Sequence, residues 1–402
     1  MTEALERFSP TRTAGLERLQ AFVPRAGSKY AARRNFDLGR DGHRGVSTLS
    51  PYLRARLVTE AEVLRAVLNR HSANTAEKFI QEVYWRTYWK GWLEMRPGVW
   101  RQYQSEVTSA LNAVQTQSGL RQNWEAACRG ETEIECFNTW AQELVQTGYL
   151  HNHARMWFAS IWVFTLKLPW ALGADFFLRH LLDGDPASNT LGWRWVAGIQ
   201  TVGKTYLARP SNIERYTEGR FANITGLAPE AQPLSPPPTV ERMAIPAMRA
   251  FDKKLRTGLI VHEEDLGIGH LLDQGIEPVA TACIGTRDRL SPLAVAPHVP
   301  AFNKLAIEDT VQRFAPRLGD IADQPATPED LMAWASEYQL EQIVTMYAPV
   351  GPTADVLAAL STGDAPPLVQ VRRPFDTKAW PHATHGFFRF KAQIPKLLEQ
   401  IG

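Results

Sequence analysis

Apolar positions follow a helical period through the first half of the chain and break into short runs in the second. "TEAEVLRAVLNRH" (59–71) spaces its aliphatic residues for one helix face, with Thr59 placed as the N-cap. "NTAEKFIQEVYWRTYWKGWLEM" (74–95) predicts a long amphipathic helix capped by Asn74. "ECFNTWAQELVQTGYLHNHARMWFASIWVFTLKLPW" (135–170) predicts two more, separated near Thr147 and Gly148. "PEAQPLSPPPTVER" (229–242) is proline-rich and reads as a linker. Beyond it "GLIVHE", "EPVATACIG", "LEQIVTMYA" and "PLVQVRR" are β-favouring runs separated by helical patterns such as "PEDLMAWASEY". The pattern predicts a multi-domain α plus α/β protein. An all-α domain spans 1–225, a linker 226–246, and a smaller Rossmann-like α/β domain with a largely parallel sheet 247–402. No internal repeat is visible.

Composition sharpens this only locally. The 402 residues are 44% hydrophobic and 21% charged, as in globular proteins, and the net charge is +2. Residues 1–60, however, carry eleven Lys/Arg against six acids. That excess suits a phosphate-bearing partner or cofactor, or else a solvated basic face. Cys128, Cys136 and Cys283 are too few and too scattered for a disulfide framework or a four-thiolate cluster, and nothing argues for a metal. There is no apolar run of about 18 residues and no apolar core in "MTEALERFSP", so a soluble, cytoplasmic, monomeric chain without a membrane partner is expected.

Candidate chemistry is concentrated. Eleven of thirteen tryptophans fall between Trp85 and Trp195. Core packing accounts for most such rings; stacking of planar ligands or electron transfer is the alternative. "GVSTLSPYL" (45–53) sets Ser47, Thr48 and Ser50 ahead of a helix, which suits a phosphate or an ordinary cap. "EVYWRTYW" (82–89) sets Glu82 one turn from Arg86, spacing that fits a surface ion pair beside the indole of Trp85. "TGYLHNHARMWFAS" (147–160) puts Asn152, Arg155 and Met156 on one helix face. "DGDPASNTLGWRW" (183–195) packs a turn-rich acidic segment against two indoles. An unpaired buried polar group costs about 1–3 kcal/mol, so these carboxylates need a partner, either Arg155 or a bound heterocycle.

In order and spacing the four stretches resemble the flavin-binding helical domain of the DNA photolyase and cryptochrome family, over about residues 28–225. The resemblance implies FAD as cofactor. Tyr30, Ser47, Thr48, Leu49 and Ser50 would hold its phosphates, and Arg155 would pair with Asp183. Asp183 and Asp185 would contact the ring edge and ribityl side, and Asn189 would stand at flavin N5. Trp193 and Trp170 would conduct electrons. Glu82, Trp85, Asn152, Met156 and Trp195 match the substrate pocket of cyclobutane-dimer photolyases, which implies light-driven repair of DNA containing pyrimidine dimers. A cryptochrome-like blue-light photoreceptor is the alternative. Three departures stand out. No α/β antenna module precedes the helical domain, although the C-terminal segment faintly resembles the latter half of one, as if circularly permuted; the antenna chromophore is left open. The distal electron-transfer position is Gln117, with Trp100, Tyr103 and Trp124 as substitutes. His153 and Val46 replace a basic residue and a threonine, and His153 is expected to contact phosphate when protonated.

Overall fold

The computed structural model describes residues 2–322, 327–361 and 365–401. Its first half is helical, ending with the helix Pro210–Tyr216. Thr59 caps the helix Glu60–Leu68 through a full capping box with Glu62. Asn74 does not cap the next helix. Ser72 and Thr75 close their own turn, and the helix Glu77–Glu94 begins after Ala76, which makes no side-chain cap. The helix Glu135–Thr147 ends where expected, with Gly148 left-handed at φ 64°, and Asn152–Ser160 follows.

Between Tyr216 and Thr257 there is no helix or strand, but this proline-rich stretch is pinned. Leu234 N–H bonds to the Ala197 carbonyl, Met243 N–H to that of Met95, and Gln102 to that of Pro238.

Five parallel strands follow: β1 (Thr257–His262), β2 (Ala280–Ile284), β3 (Asp320–Ile321), β4 (Gln342–Met346) and β5 (Leu368–Val371), in the order β3-β2-β1-β4-β5. β1, β2 and β4 are buried along their whole length, as strands covered on both faces must be. The two-residue β3 was absent from the sequence reading, being too short and too exposed to leave a pattern. The order reverses between β1 and β4, so the crevice of this sheet lies at their carboxyl ends.

The helical half docks on that crevice. Arg54 bonds to the Glu263 carbonyl at 2.9 Å and pairs with Glu264, just beyond β1. Glu94 accepts from Tyr347 and from the Val350 N–H, just beyond β4. Apolar packing is shared too. One core cluster joins Phe8, Tyr52 and Tyr84 to Val261, Phe302 and Phe390.

Candidate functional site

The site is built around the turn 181–186 and the helix it starts. Asp185 caps the helix Pro186–Val196, its Oδ2 accepting from Ser188 N–H at 3.3 Å and Ser188 Oγ at 2.7 Å. Pro186 occupies the first turn, where its missing N–H costs nothing. One turn on, Asn189 donates Nδ2–H to the Ala174 carbonyl at 2.8 Å, and its amide oxygen takes no hydrogen bond from the described residues. Trp193 comes one further turn along.

Arg155 reaches this turn from the helix Asn152–Ser160. Its Nη2 bonds Asp183 Oδ2 at 2.8 Å while Nε holds the Leu150 carbonyl, and the guanidinium lies over Tyr149. Asp183 Oδ1 is buried and meets no donor among the described residues. The expected Arg155–Asp183 pair is therefore formed, with one acceptor left over. Asp185 is used differently. Burial would raise its carboxyl, but Lys90, Arg86, the Ser188 hydroxyl and Arg54 hold it well below the usual range. It works as a cap and a charge partner.

Ser47 and Thr48 line a cleft of about 480 Å³ together with Arg7, Arg18, Arg25 and Arg44. Ser47 Oγ accepts from Leu49 N–H, and Thr48, at φ 50°, accepts from Arg18 Nη1 at 2.7 Å. Leu49 caps Ser50–Arg54, a helix of only five residues. Tyr30 is not among the residues of that cleft; it packs edge-on to Phe22 and Phe79, and burial raises its hydroxyl pKa.

Two of the expected substrate residues, Glu82 and Trp195, are linked through a network that local spacing did not reveal. Glu82 pairs with Arg34, not with Arg86, which turns instead to Glu60 and Asp185 at 3.6 and 3.7 Å. Asn35, next to Arg34, presents its carbonyl to His153 Nδ1 at 3.0 Å, and His153 Nε2 meets Tyr206 Oη at 3.1 Å. Tyr206 stacks on Trp195 at 5.8 Å. This path links Glu82, the start of the Asn152 helix, and Trp195. Asn152 is exposed, and Met156 half-buried. Trp85, one turn from Glu82, has one face covered by Phe387 at 3.6 Å and 11°.

His153 corrects the expectation of a phosphate contact. Both ring nitrogens are engaged, the ring stacks on Trp157 at 4.1 Å, and burial lowers its pKa. Arg34, Tyr206 and Phe387 were missed; only the surplus of basic residues near the N-terminus hinted at the first.

Aromatic rings crowd behind the turn. Trp193 meets Phe177 at 5.1 Å and Trp162 at 6.2 Å, both near 90°. Its indole lies over Gly173, where an added Cβ would come within 2.3 Å of Cη2. Trp170, one turn before Gly173, donates Nε1–H to Glu106 at 2.6 Å and lies 5.8 Å from Tyr103, itself 5.1 Å from Trp100.

These features define a helical fold in which a carboxylate oxygen and an amide oxygen left without donors among the described residues stand beside packed indoles. Residues 79–226 match the model of the FAD binding domain of DNA photolyase. Deoxyribodipyrimidine photo-lyase of Alkalihalophilus pseudofirmus is 32% identical over 192 residues, covering 48% of this chain and 38% of that one. The Synechococcus enzyme of the same name is 30% identical over 203 residues, covering 47% and 39%. Among solved structures, a bacterial class III photolyase from Agrobacterium tumefaciens is similar at 26% identity and a TM-score of 0.42, over 52% of this chain and 43% of that one. The match thus spans about two fifths of the length of these curated relatives. The helical half of this chain belongs to the photolyase/cryptochrome family, and its cofactor is FAD. The residues present suit that group: Asp183 Oδ1 and the Asn189 amide oxygen are acceptors without donors among the described residues, fitted to a ring bearing N–H groups.

Proposed function

We propose that this chain uses light and FAD to repair cyclobutane pyrimidine dimers in DNA. The observation that carries the reading is the network from Glu82 through Arg34, Asn35, His153 and Tyr206 to Trp195. It ties Glu82 and Trp195, two of the substrate residues of the resemblance, to His153, which follows Asn152 on its helix. Bound FAD supplies the light-absorbing electron donor. The protein supplies the rest. Arg155 fixes Asp183, and the Ala174 carbonyl fixes the Asn189 amide, whose oxygen takes no hydrogen bond from the described residues. Glu82, tied to Arg34, and exposed Asn152 stand ready to hydrogen-bond base carbonyls on which negative charge grows. Trp195 and the open side of Trp85 offer walls to a flipped-out pair of bases. Binding would rest on basic side chains, so it weakens with salt and ignores sequence.

The test is blue-light illumination of the reduced, FAD-loaded protein with dimer-containing oligonucleotides. Loss of dimers in light and not in darkness is expected. Flavin photoreduction with no loss of dimers would overturn repair in favour of a photoreceptor.

A further inference from the structure

The row of rings behind the flavin turn changes character at Trp170. Trp193 lies over Gly173, one turn along the helix from Trp170, and Trp170 leads on to Tyr103 and Trp100. Of these outer rings only Trp170 has a base on its proton: Glu106 Oε2 accepts its Nε1–H at 2.6 Å. Tyr103 Oη and Trp100 Nε1 are buried and have no hydrogen-bond partner among the described residues. Glu106 itself is half-buried on the helix Gly98–Thr116, so it reaches both the indole and water.

An aromatic ring that loses an electron becomes a strong acid. If a base stands on its N–H or O–H, the proton leaves and the hole is trapped there; without one, the charge stays in a poorly solvating interior. A phenol without an acceptor is a poor resting place, because its oxidation requires loss of the O–H proton. Distance alone would let the hole move on to Tyr103, but proton chemistry stops it at Trp170.

We propose that Glu106 is the proton acceptor that makes Trp170 the terminal electron donor of this chain. Trp170 passes one electron through Trp193 to photoexcited oxidised flavin, which is thereby reduced by one electron. The Nε1 proton crosses to Glu106 Oε2, leaving a neutral indolyl radical and a carboxylic acid. The acid releases its proton to water, and an external thiol returns one electron and one proton to the indole, becoming a thiyl radical. No distal tryptophan is needed, which accounts for Gln117 at that position. The inference rests on the flavin reading above.

The charged groups facing Glu106 are few. Burial raises its carboxyl pKa, offset in part by the Trp170 N–H and by Arg194 of the helix Pro186–Val196. The carboxylate is then a better base while ionised, and it stops accepting as pH falls through that raised value.

Flash photolysis of the full-length, FAD-loaded protein with a thiol present tests this. The wild type should give the neutral radical, a solvent deuterium isotope effect, and a photoreduction yield that drops on acidification. Glu106→Gln keeps a hydrogen-bond acceptor but no base. It should give the cation radical, with photoreduction down about tenfold or more and insensitive to pH. Glu106→Asp should restore part of the yield. In the dark, the indole ¹⁵N–H resonance of Trp170 should titrate with the carboxyl in wild type and not in Glu106→Gln. A Glu106→Gln protein with the wild-type radical, yield and pH profile overturns the proposal and leaves the flavin reading intact. A wild type that binds FAD yet forms no tryptophan radical likewise overturns the proposal alone, whereas a protein that takes up no FAD overturns both. Should Glu106→Gln not fold, a wild-type yield independent of pH and of deuterium suffices to refute it.

Discussion

Glu94 closes the helix Glu77–Glu94 at the point where the α/β half docks, and it makes that docking sensitive to pH. Its two oxygens accept from Tyr347 Oη and Val350 N–H, both at 2.6 Å. Burial pushes its pKa up from 4.5 to about 7, the two hydrogen bonds, Lys90 and Arg372 offsetting only part of the desolvation. The folded value exceeds the unfolded one. The stability contributed by protonated Glu94 is therefore complete below the unfolded pKa and is lost as pH rises through the folded one. A gap of about 2.5 units corresponds to on the order of 3 kcal/mol, of which about 2 kcal/mol falls between pH ~5.5 and ~8. Glu94→Gln keeps an oxygen for Val350 N–H, and its amide donates to Tyr347 Oη, so packing survives while the titration disappears. Urea unfolding of both proteins at the two pH values reads the difference. The variant should gain about 2 kcal/mol on the wild type between the acidic and the alkaline buffer. Parallel pH slopes would show that the carboxyl is ionised and well solvated, and the reasoning from burial would fail.

Two further substitutions probe the same frame. Arg54→Met removes a fully buried guanidinium that serves the Gly184 and Glu263 carbonyls and Glu264. It should cost about 3 kcal/mol, the lower end for a broken buried pair because Lys90 stays 3.7 Å from Glu264, and it reads out as a lower thermal midpoint. Gly173→Ala sets a methyl 2.3 Å from Trp193 Cη2 and 2.9 Å from Trp162 Cε2. Overpacking of about 1–3 kcal/mol is expected, with slower flavin photoreduction as the indole shifts; unchanged stability would mean that the ring had room to move.

Legibility in the sequence tracked the range of the interaction. The Thr59 capping box joins residues three apart, and the acidic turn, Asn189 and Trp193 share one turn and helix; both were readable. The need of a buried carboxylate for a partner left Arg155 or a bound heterocycle open, and the family resemblance selected the Arg155–Asp183 pair that the structure forms. Contacts across longer spans defeated local reasoning. Glu82–Arg86 had ideal spacing, yet Arg34, 48 residues away, takes Glu82, because Glu60 and Asp185 draw Arg86 inward. His153 was expected to contact phosphate when protonated and is instead a half-buried, stacked ring with both nitrogens hydrogen-bonded. Asn74 failed as a cap because Ser72 and Thr75 satisfied each other first.

The turn 181–186 is a junction between the two halves of the chain. Its Gly184 carbonyl accepts from Arg54 of the helical half and from Arg287 of the α/β half, while Arg287 also holds the Leu181 carbonyl at 3.2 Å. Pro186 lies against Gly351, where an added Cβ would meet its Cγ at 2.9 Å. Burial lowers the Arg287 pKa to about 9, with Arg54 adding repulsion, so this cation is held there by the acids around it, Glu264 and Glu263 first. Within a span of three residues, Asp183 meets Arg155 and keeps an oxygen free, whereas Asp185 joins the cations at the crevice of the sheet. The backbone between the two carboxylates is thus held from both halves of the chain, by Arg54 on one side and Arg287 on the other.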